Sequence, residues 1–163
     1  MTLQKRLREA LAYSPDTGAW TRLVDGRWGK VVQRKAGYLN KQGYVIILFD
    51  GKNRRASRLA WLYMTGSWPK RDLDHVNGIK SDNRWNNLRL ATRTQNIANG
   101  RIRKDNTSGF KGVSFRKLDR KWVPQLRFRG KSKYLGCFDT PEKAYAAYVS
   151  AARETFGEYH RER

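Results

Sequence analysis

Residues 73–99, LDHVNGIKSDNRWNNLRLATRTQNIAN, carry the set of side chains in this chain best suited to chemistry. Asp74 and His75 stand side by side before a Val-Asn-Gly turn. Asn87 follows twelve residues after His75, and Asn96 nine after that. Hydrolysis of a phosphodiester needs a base to take a proton from water. It also needs a cation to stabilise charge on the phosphate and the departing oxygen, and a group to hold the base in place. His75 suits the first role, because an imidazole titrates near neutrality. Asp74 and the amide oxygen of Asn96 are hard oxygen donors of the kind that bind Mg²⁺ or Mn²⁺. Asn87 suits the third role, since its amide can hydrogen-bond around the histidine. Asn77, Asn83 and Asn86 read as structural, forming Asx-turns in the intervening loop.

These groups must be positioned by elements that the sequence signals. Residues 1–12 read as a helix with Leu3, Leu7 and Leu11 on one face. Residues 14–18 (SPDTG) are a turn, 19–24 a strand, and 25–40, rich in Gly, Lys and Arg, a looped-out stretch. Residues 43–50 (GYVIILFD) form a strong β-run closed by an Asp50-Gly51 turn. Residues 56–65 fit a helix with Leu59, Ala60, Leu62 and Tyr63 inward and Gly66 as its stop. Residues 91–99 fit a short helix capped by Thr92. The next ten residues, GRIRKDNTSG, have almost no apolar content, so the expected organisation is a domain over 1–100, a linker over 101–108 and a second domain over 109–163.

Composition narrows the partners. The chain has 163 residues, 35 of them Lys or Arg against 14 Asp or Glu, for a net charge of +21. That charge points to a polyanion, nucleic acid first, because each cation that neutralises a phosphate releases counterions. Hydrophobic residues are only 39 %, yet six Trp, eight Tyr and six Phe can build small cores, which argues against a disordered basic tail. No apolar run approaches the roughly 18–20 residues that span a bilayer, and no long basic amphipathic helix suggests a membrane surface. The N-terminal residues lack a secretory pattern. One cysteine, Cys137, precludes an internal disulfide, and one cysteine with two histidines is too few for structural zinc. A reducing, cytoplasmic compartment is expected.

Three blocks, Asp74-His75-Val76-Asn77-Gly78, then Asp82-Asn83-Arg84-Trp85-Asn86-Asn87-Leu88-Arg89, then Thr94-Gln95-Asn96-Ile97-Ala98-Asn99, resemble the HNH nuclease family in order and spacing. Within that family they look like the phage and intron-encoded homing endonucleases. The likeness covers roughly residues 12–100 and includes Gly43-Tyr44-Val45 and Arg58-Leu59-Ala60-Trp61 upstream. It implies a ββα-metal unit, two strands and a helix around one divalent ion, with a core at about residues 70–100. Carried over, Asp74 is a metal ligand, His75 the general base and Asn87 the orienting asparagine. Asn96 stands where many members have a final histidine, so this copy is of an His-Asn-Asn type, which favours Mg²⁺ or Mn²⁺. Ser57 is a second departure, where relatives often carry histidine.

The C-terminal third alternates. Over residues 122–129, Trp122, Leu126 and Phe128 fall on one face, and Val123, Gln125, Arg127 and Arg129 on the other. Residues 113–117 and 133–138 read as flanking strands. Thr140-Pro141-Glu142 then gives an N-cap, a first-turn proline and a first-turn acid. Ala144, Ala147, Tyr148, Ala151 and Ala152 form a small-residue stripe, and Gly157 closes the helix. Gly112-Val113-Ser114-Phe115-Arg116, Lys121-Trp122, Tyr134-Leu135-Gly136-Cys137-Phe138-Asp139-Thr140 and Glu142-Lys143-Ala144-Tyr145 resemble the AP2 DNA-binding domain over residues 108–157. The resemblance implies a three-stranded antiparallel sheet in the major groove with one helix behind it. It aligns Lys111, Ser114, Arg116, Lys121 and Tyr134 with contact positions, and the strand period adds Gln125, Arg127 and Arg129 on the free face. Arginine reads guanine bidentately, whereas lysines more often meet phosphates.

The expected fold class is α+β, an N-terminal ββα-metal domain joined to an AP2-like sheet with one helix. The expected function is site-directed, homing-type cleavage of double-stranded DNA. It uses one Mg²⁺ or Mn²⁺ per active site and no small-molecule cofactor. A monomer would nick one strand, and a phage-encoded chain would act in the cytoplasm of a bacterial host. The alternatives are a DNA-binding regulator that keeps a degenerate HNH scaffold, and a basic RNA-binding protein.

Overall fold

A computed structural model describes residues 1–25 and 31–162. The described residues fall into two compact units, Met1–Ala91 and Thr92–Arg163. The first opens with helix α1 (Leu3–Ala10), whose N-cap Thr2 accepts from the Lys5 amide. The helix ends two residues earlier than its leucine spacing predicts. Leu11 turns extended and begins strand β1 (Leu11–Tyr13), because its backbone is used to pair with β2 (Trp20–Asp25). Strand β3 (Val31–Lys35) pairs on the other side of β2. Of the stretch expected to loop out, residues 26–30 lie outside the described residues. Residues 31–35 and Tyr38–Leu39 (β4) are strands instead, held by pairing with neighbours that local composition does not reveal.

Strands β4, β5 (Val45–Phe49) and β6 (Lys52–Arg55) make a second antiparallel sheet. The turn between β5 and β6 has Asp50 and Gly51 both at positive φ, 54° and 68°, which matches the twist of a tight hairpin. Helix α2 (Ala56–Thr65) follows and stops at Gly66, whose amide bonds the Leu62 carbonyl. Its buried Leu59, Ala60 and Leu62 join Leu7, Leu11, Ile47 and Phe49 in one core. Tyr13 and Trp20 stack there at 4.7 Å, and Tyr63 meets both edge-on at 5.7 Å. The unit closes with a two-stranded ribbon, β7 (Asp72–His75) against β8 (Leu88–Ala91).

The second unit begins with helix α3 (Arg93–Asn99). Thr92 and Gln95 form a reciprocal capping box at its start, as the Thr92 cap predicts. Strands β9 (Val113–Arg116), β10 (Lys121–Phe128) and β11 (Lys131–Tyr134) form an antiparallel sheet in the order β11-β10-β9. The third strand lies earlier than the expected 133–138. Gly136, at φ 96°, interrupts the run, and Phe138 rejoins the sheet through a single bridge to Trp122. Helix α4 (Pro141–Phe156) starts on a Thr140 cap and buries Ala144, Tyr148, Ala151 and Ala152. Ala98 of α3 packs in the same cluster as Leu126, Tyr148 and Phe156, so α3 groups with this unit. Residues ahead of β9 are tied in as well: Ser108 donates to the Val113 carbonyl at 2.8 Å and Asn106 to the Phe110 carbonyl at 2.9 Å.

Candidate active site

Strands β7 and β8 place the candidate residues by register. Asp74 lies opposite Arg89, and His75 opposite Leu88. Asp74 is 3 % exposed, and its Oδ2 accepts from Arg89 Nε at 2.9 Å. The guanidinium and the carboxylate offset each other's cost of burial. His75, 5 % exposed, ends β7 and enters the loop to β8 through a Gly78 amide bond to its carbonyl, 2.7 Å.

That loop is organised by amides. The Asn87 side chain accepts from the Asn77 amide at 3.0 Å and donates to the Asp82 carbonyl at 2.8 Å. It therefore staples the loop backbone. The side chain beside the imidazole is Asn83, whose Oδ1 lies 3.5 Å from His75 Nε2. The orienting contact read from the sequence at Asn87 is thus geometrically available at Asn83. Asn77 forms the expected Asx-turn with the Ile79 amide, 2.9 Å, and donates to Asp82 at 2.7 Å. Arg84 grips the Asp82 carboxylate through two nitrogens, at 2.9 and 2.6 Å. Those bonds hold the carboxyl down to about 2, with Arg84 the largest cause.

The N-terminal hairpin buttresses this loop. Tyr13 donates to the Asn83 carbonyl at 2.6 Å, and the Trp85 amide bonds the Pro15 carbonyl at 2.8 Å. At Gly18, φ 71°, a Cβ would sit 2.5 Å from the Arg84 amide nitrogen, so only glycine permits the approach.

Cations gather near the imidazole. The Tyr44 ring lies 6.2 Å from that of His75. The Arg55 guanidinium lies 3.9 Å from the Tyr44 centroid and the Lys80 ammonium 4.9 Å. Burial pushes the His75 pKa below its usual value and Arg55 pushes the same way. The Asn83 bond and the Asp74 and Asp82 charges oppose them without winning. The ring is therefore neutral, a competent base, at neutral pH.

Asn96 stands on α3 in the second unit, half-buried. Each taken by itself, the Asp74 carboxylate and the amide oxygen of an asparagine are hard donors, of the kind a divalent ion such as Mg²⁺ accepts. The buried, already oriented Asp74 carboxylate is a suitable ligand, provided the ion's charge shares it with Arg89.

In the second unit β10 alternates over residues 124–127, whereas Phe128, expected on the inward face, is exposed. Pro124 and Leu126 are buried, while Gln125 and Arg127 are exposed. Gln125 donates to Ser114 at 3.2 Å, and Arg129 lies 5.1 Å from the Phe128 ring. Arg127 bonds the Gly130 carbonyl at 3.4 Å, and Tyr134 is 75 % exposed. Arg116 pairs with Asp119 and Lys121 with Asp139, ion pairs that a polyanion would have to displace. Lys111 differs. It is half-buried, its ammonium donates to the Ala98 carbonyl and, at 3.1 Å, to that of Arg161, and burial pushes its pKa down to about 8. A cleft of about 570 Å³ in this unit is lined by Ile97, Ile102 and Leu126 with Arg101, Arg127 and Arg129 among its walls.

The sequence does not show Asn83, Tyr44 or Arg55 near His75, nor Arg89 paired with Asp74. Arg89 was recoverable by pairing the two strands and reading off the partner of Asp74. The others have no local signal.

No helix among the described residues is long and apolar enough to cross a membrane. Known proteins resemble the chain as follows. The HNH endonuclease family profile matches residues 54–98. An uncharacterized HNH endonuclease of Acanthamoeba polyphaga mimivirus is 32 % identical over 132 residues, 79 % of this chain and 67 % of that protein. Protein 3.8 of Escherichia phage T7 is 33 % identical over 102 residues, 62 % of this chain and 84 % of that one. No solved structure matches.

Proposed function

Because the chain belongs to the HNH endonuclease family, we propose that it is a divalent-metal-dependent DNA endonuclease of homing type, with His75 as its general base. The observation that carries the assignment is the buried, neutral His75 beside the charge-paired Asp74 on one β-ribbon. In the proposed mechanism His75 takes a proton from a water in line with the scissile phosphate, and Asn83 holds the ring. Arg55 and Lys80 supply positive charge where the phosphate would lie. Asp74 and, by its place in the motif, Asn96 would hold one Mg²⁺ or Mn²⁺, which would polarise the phosphate and stabilise the 3′ leaving oxygen. Cleavage then leaves 5′-phosphate and 3′-hydroxyl ends, and one site per monomer cuts one strand per engagement.

The second unit is proposed to hold the target duplex as an AP2-like module. Arg116, Lys121, Gln125, Arg127, Arg129, Ser114 and Tyr134 are the contacts. Support comes from the basic, outward face of β10 and the apolar face turned to α4.

A nicking assay tests this. Supercoiled DNA is incubated with Mg²⁺, Mn²⁺ or EDTA and with wild type or His75→Ala. Relaxed circles that require the metal and His75 are expected. One observation favours a second reading, a DNA-binding regulator: the Asp74–Arg89 pair already satisfies the carboxylate without metal. Tight duplex binding with no cleavage, on plasmid and on DNA from the source genome, would select the regulator.

A further inference from the structure

We infer that Lys111 is a positioning residue for Asn96, a lysine clamp that fixes the C-terminal end of α3 within the second unit. This rests on the reading of Asn96 as a ligand.

Helix α3 lacks the length to hold its own end. It has only seven residues, and its last carbonyls have no partner within the helix. An isolated helix that short is not stable in water. Ala98, two residues beyond Asn96, offers its carbonyl to the Lys111 ammonium, and a basic group at a helix C-terminus both bonds and offsets the exposed dipole. The same ammonium holds the Arg161 carbonyl at 3.1 Å, and the Arg161 amide approaches Ala98 at 3.5 Å. One lysine thereby ties α3 to the segment after α4.

Lys111 is itself rigidly mounted. Its neighbour Gly112 has φ 73°, lies so close to the Tyr148 ring that a Cβ would be 2.3 Å away, and accepts the Gln125 amide at 2.6 Å. Among the described residues, no carboxylate pairs with Lys111. A half-buried ammonium that meets carbonyls and no acid costs free energy, which fits a structural duty better than a phosphate contact. On the opposite side Ala98 is anchored against Leu126, Tyr148 and Phe156. The helix is gripped by packing on one face and by the lysine at its end, so the backbone that carries Asn96 is held within the second unit.

The test uses the full chain with Lys111→Met and, should that variant fold poorly, Lys111→Gln. Three quantities are read: amide exchange over residues 96–100, Mn²⁺ half-saturation by electron paramagnetic resonance, and duplex affinity in EDTA. Exchange about tenfold faster, Mn²⁺ half-saturation about tenfold higher and duplex affinity within twofold of wild type are expected. A loss of duplex affinity with exchange and Mn²⁺ binding unchanged would overturn the inference and make Lys111 a phosphate contact. Faster exchange with unchanged Mn²⁺ binding would also overturn it, by removing Asn96 from the metal. Failure of the wild type to nick with any metal strikes the proposed function instead and is visible before any variant is made.

Discussion

Asp74 and Arg89 face each other across β7 and β8 and close a 2.9 Å ion pair with side chains only 4 % and 14 % exposed. Removing one partner of such a pair strands the other's charge, at about 3–5 kcal/mol. Arg89→Met should therefore lose about 3 kcal/mol of unfolding free energy in EDTA. If a divalent ion also binds Asp74, Mg²⁺ should restore part of that loss, and stabilise the variant more than it stabilises wild type. Urea unfolding with and without Mg²⁺ checks both.

Asn83 and Asn87 are chemically identical but act differently. Asn83→Ala releases the imbedded ring of His75, so nicking should slow by about ten- to hundredfold with duplex affinity unchanged. Asn87→Ala removes two bonds to loop backbone and should cost about 1–3 kcal/mol of stability. Kinetics and melting of the two variants side by side separate the roles.

His160 is lowered from its usual value of 6.5, by burial first and then by the Lys111 charge, with Arg153 adding and Glu162 opposing. Both its ring nitrogens are buried without a hydrogen-bond partner in the structure. The unfolded chain therefore takes up a proton at a higher pH than the folded one. Stability is constant above the unfolded value, then declines as pH falls from about 6.5 toward the folded value. His75 contributes in the same sense. His160→Gln should flatten part of this decline, read as unfolding free energy against pH between 7 and 5.

Two glycines at similar positive φ make a controlled pair. At Gly112 a Cβ meets the Tyr148 ring at 2.3 Å, whereas at Gly130 it meets nothing within 4 Å. Gly130→Ala should cost only the left-handed penalty, about 1–2 kcal/mol. Gly112→Ala must also displace a buried aromatic ring and should cost clearly more, as melting temperatures would show.

Where a side chain's periodicity and its burial have one cause, the sequence is readable. The alternation of β10 is legible because one face must meet α4, and the starts of α3 and α4 because Thr92 and Thr140 have caps to make. Strand β1 is not, since Leu11 follows Leu7 at helical spacing and only pairing with β2 decides its backbone. Asp74 and His75 stand out by type and neighbours. That Asn83 lies beside the ring while Asn87 bonds loop backbone does not, because it depends on the path of the loop. Nor does the inward turn of Lys111, since nothing in a chain of net charge +21 distinguishes one buried lysine from its exposed fellows.

The bond from Tyr13 to Asn83 joins residues 70 positions apart, the Pro15–Trp85 bond repeats that span, and the Gly18 approach to Arg84 joins the same two segments. During synthesis the hairpin leaves the ribosome first and waits for its loop. A nascent chain can bury Tyr13 against Trp20 early, yet the loop around His75 is not held until the polypeptide has grown past Asn87. The candidate site is thus completed only after most of the first unit has emerged.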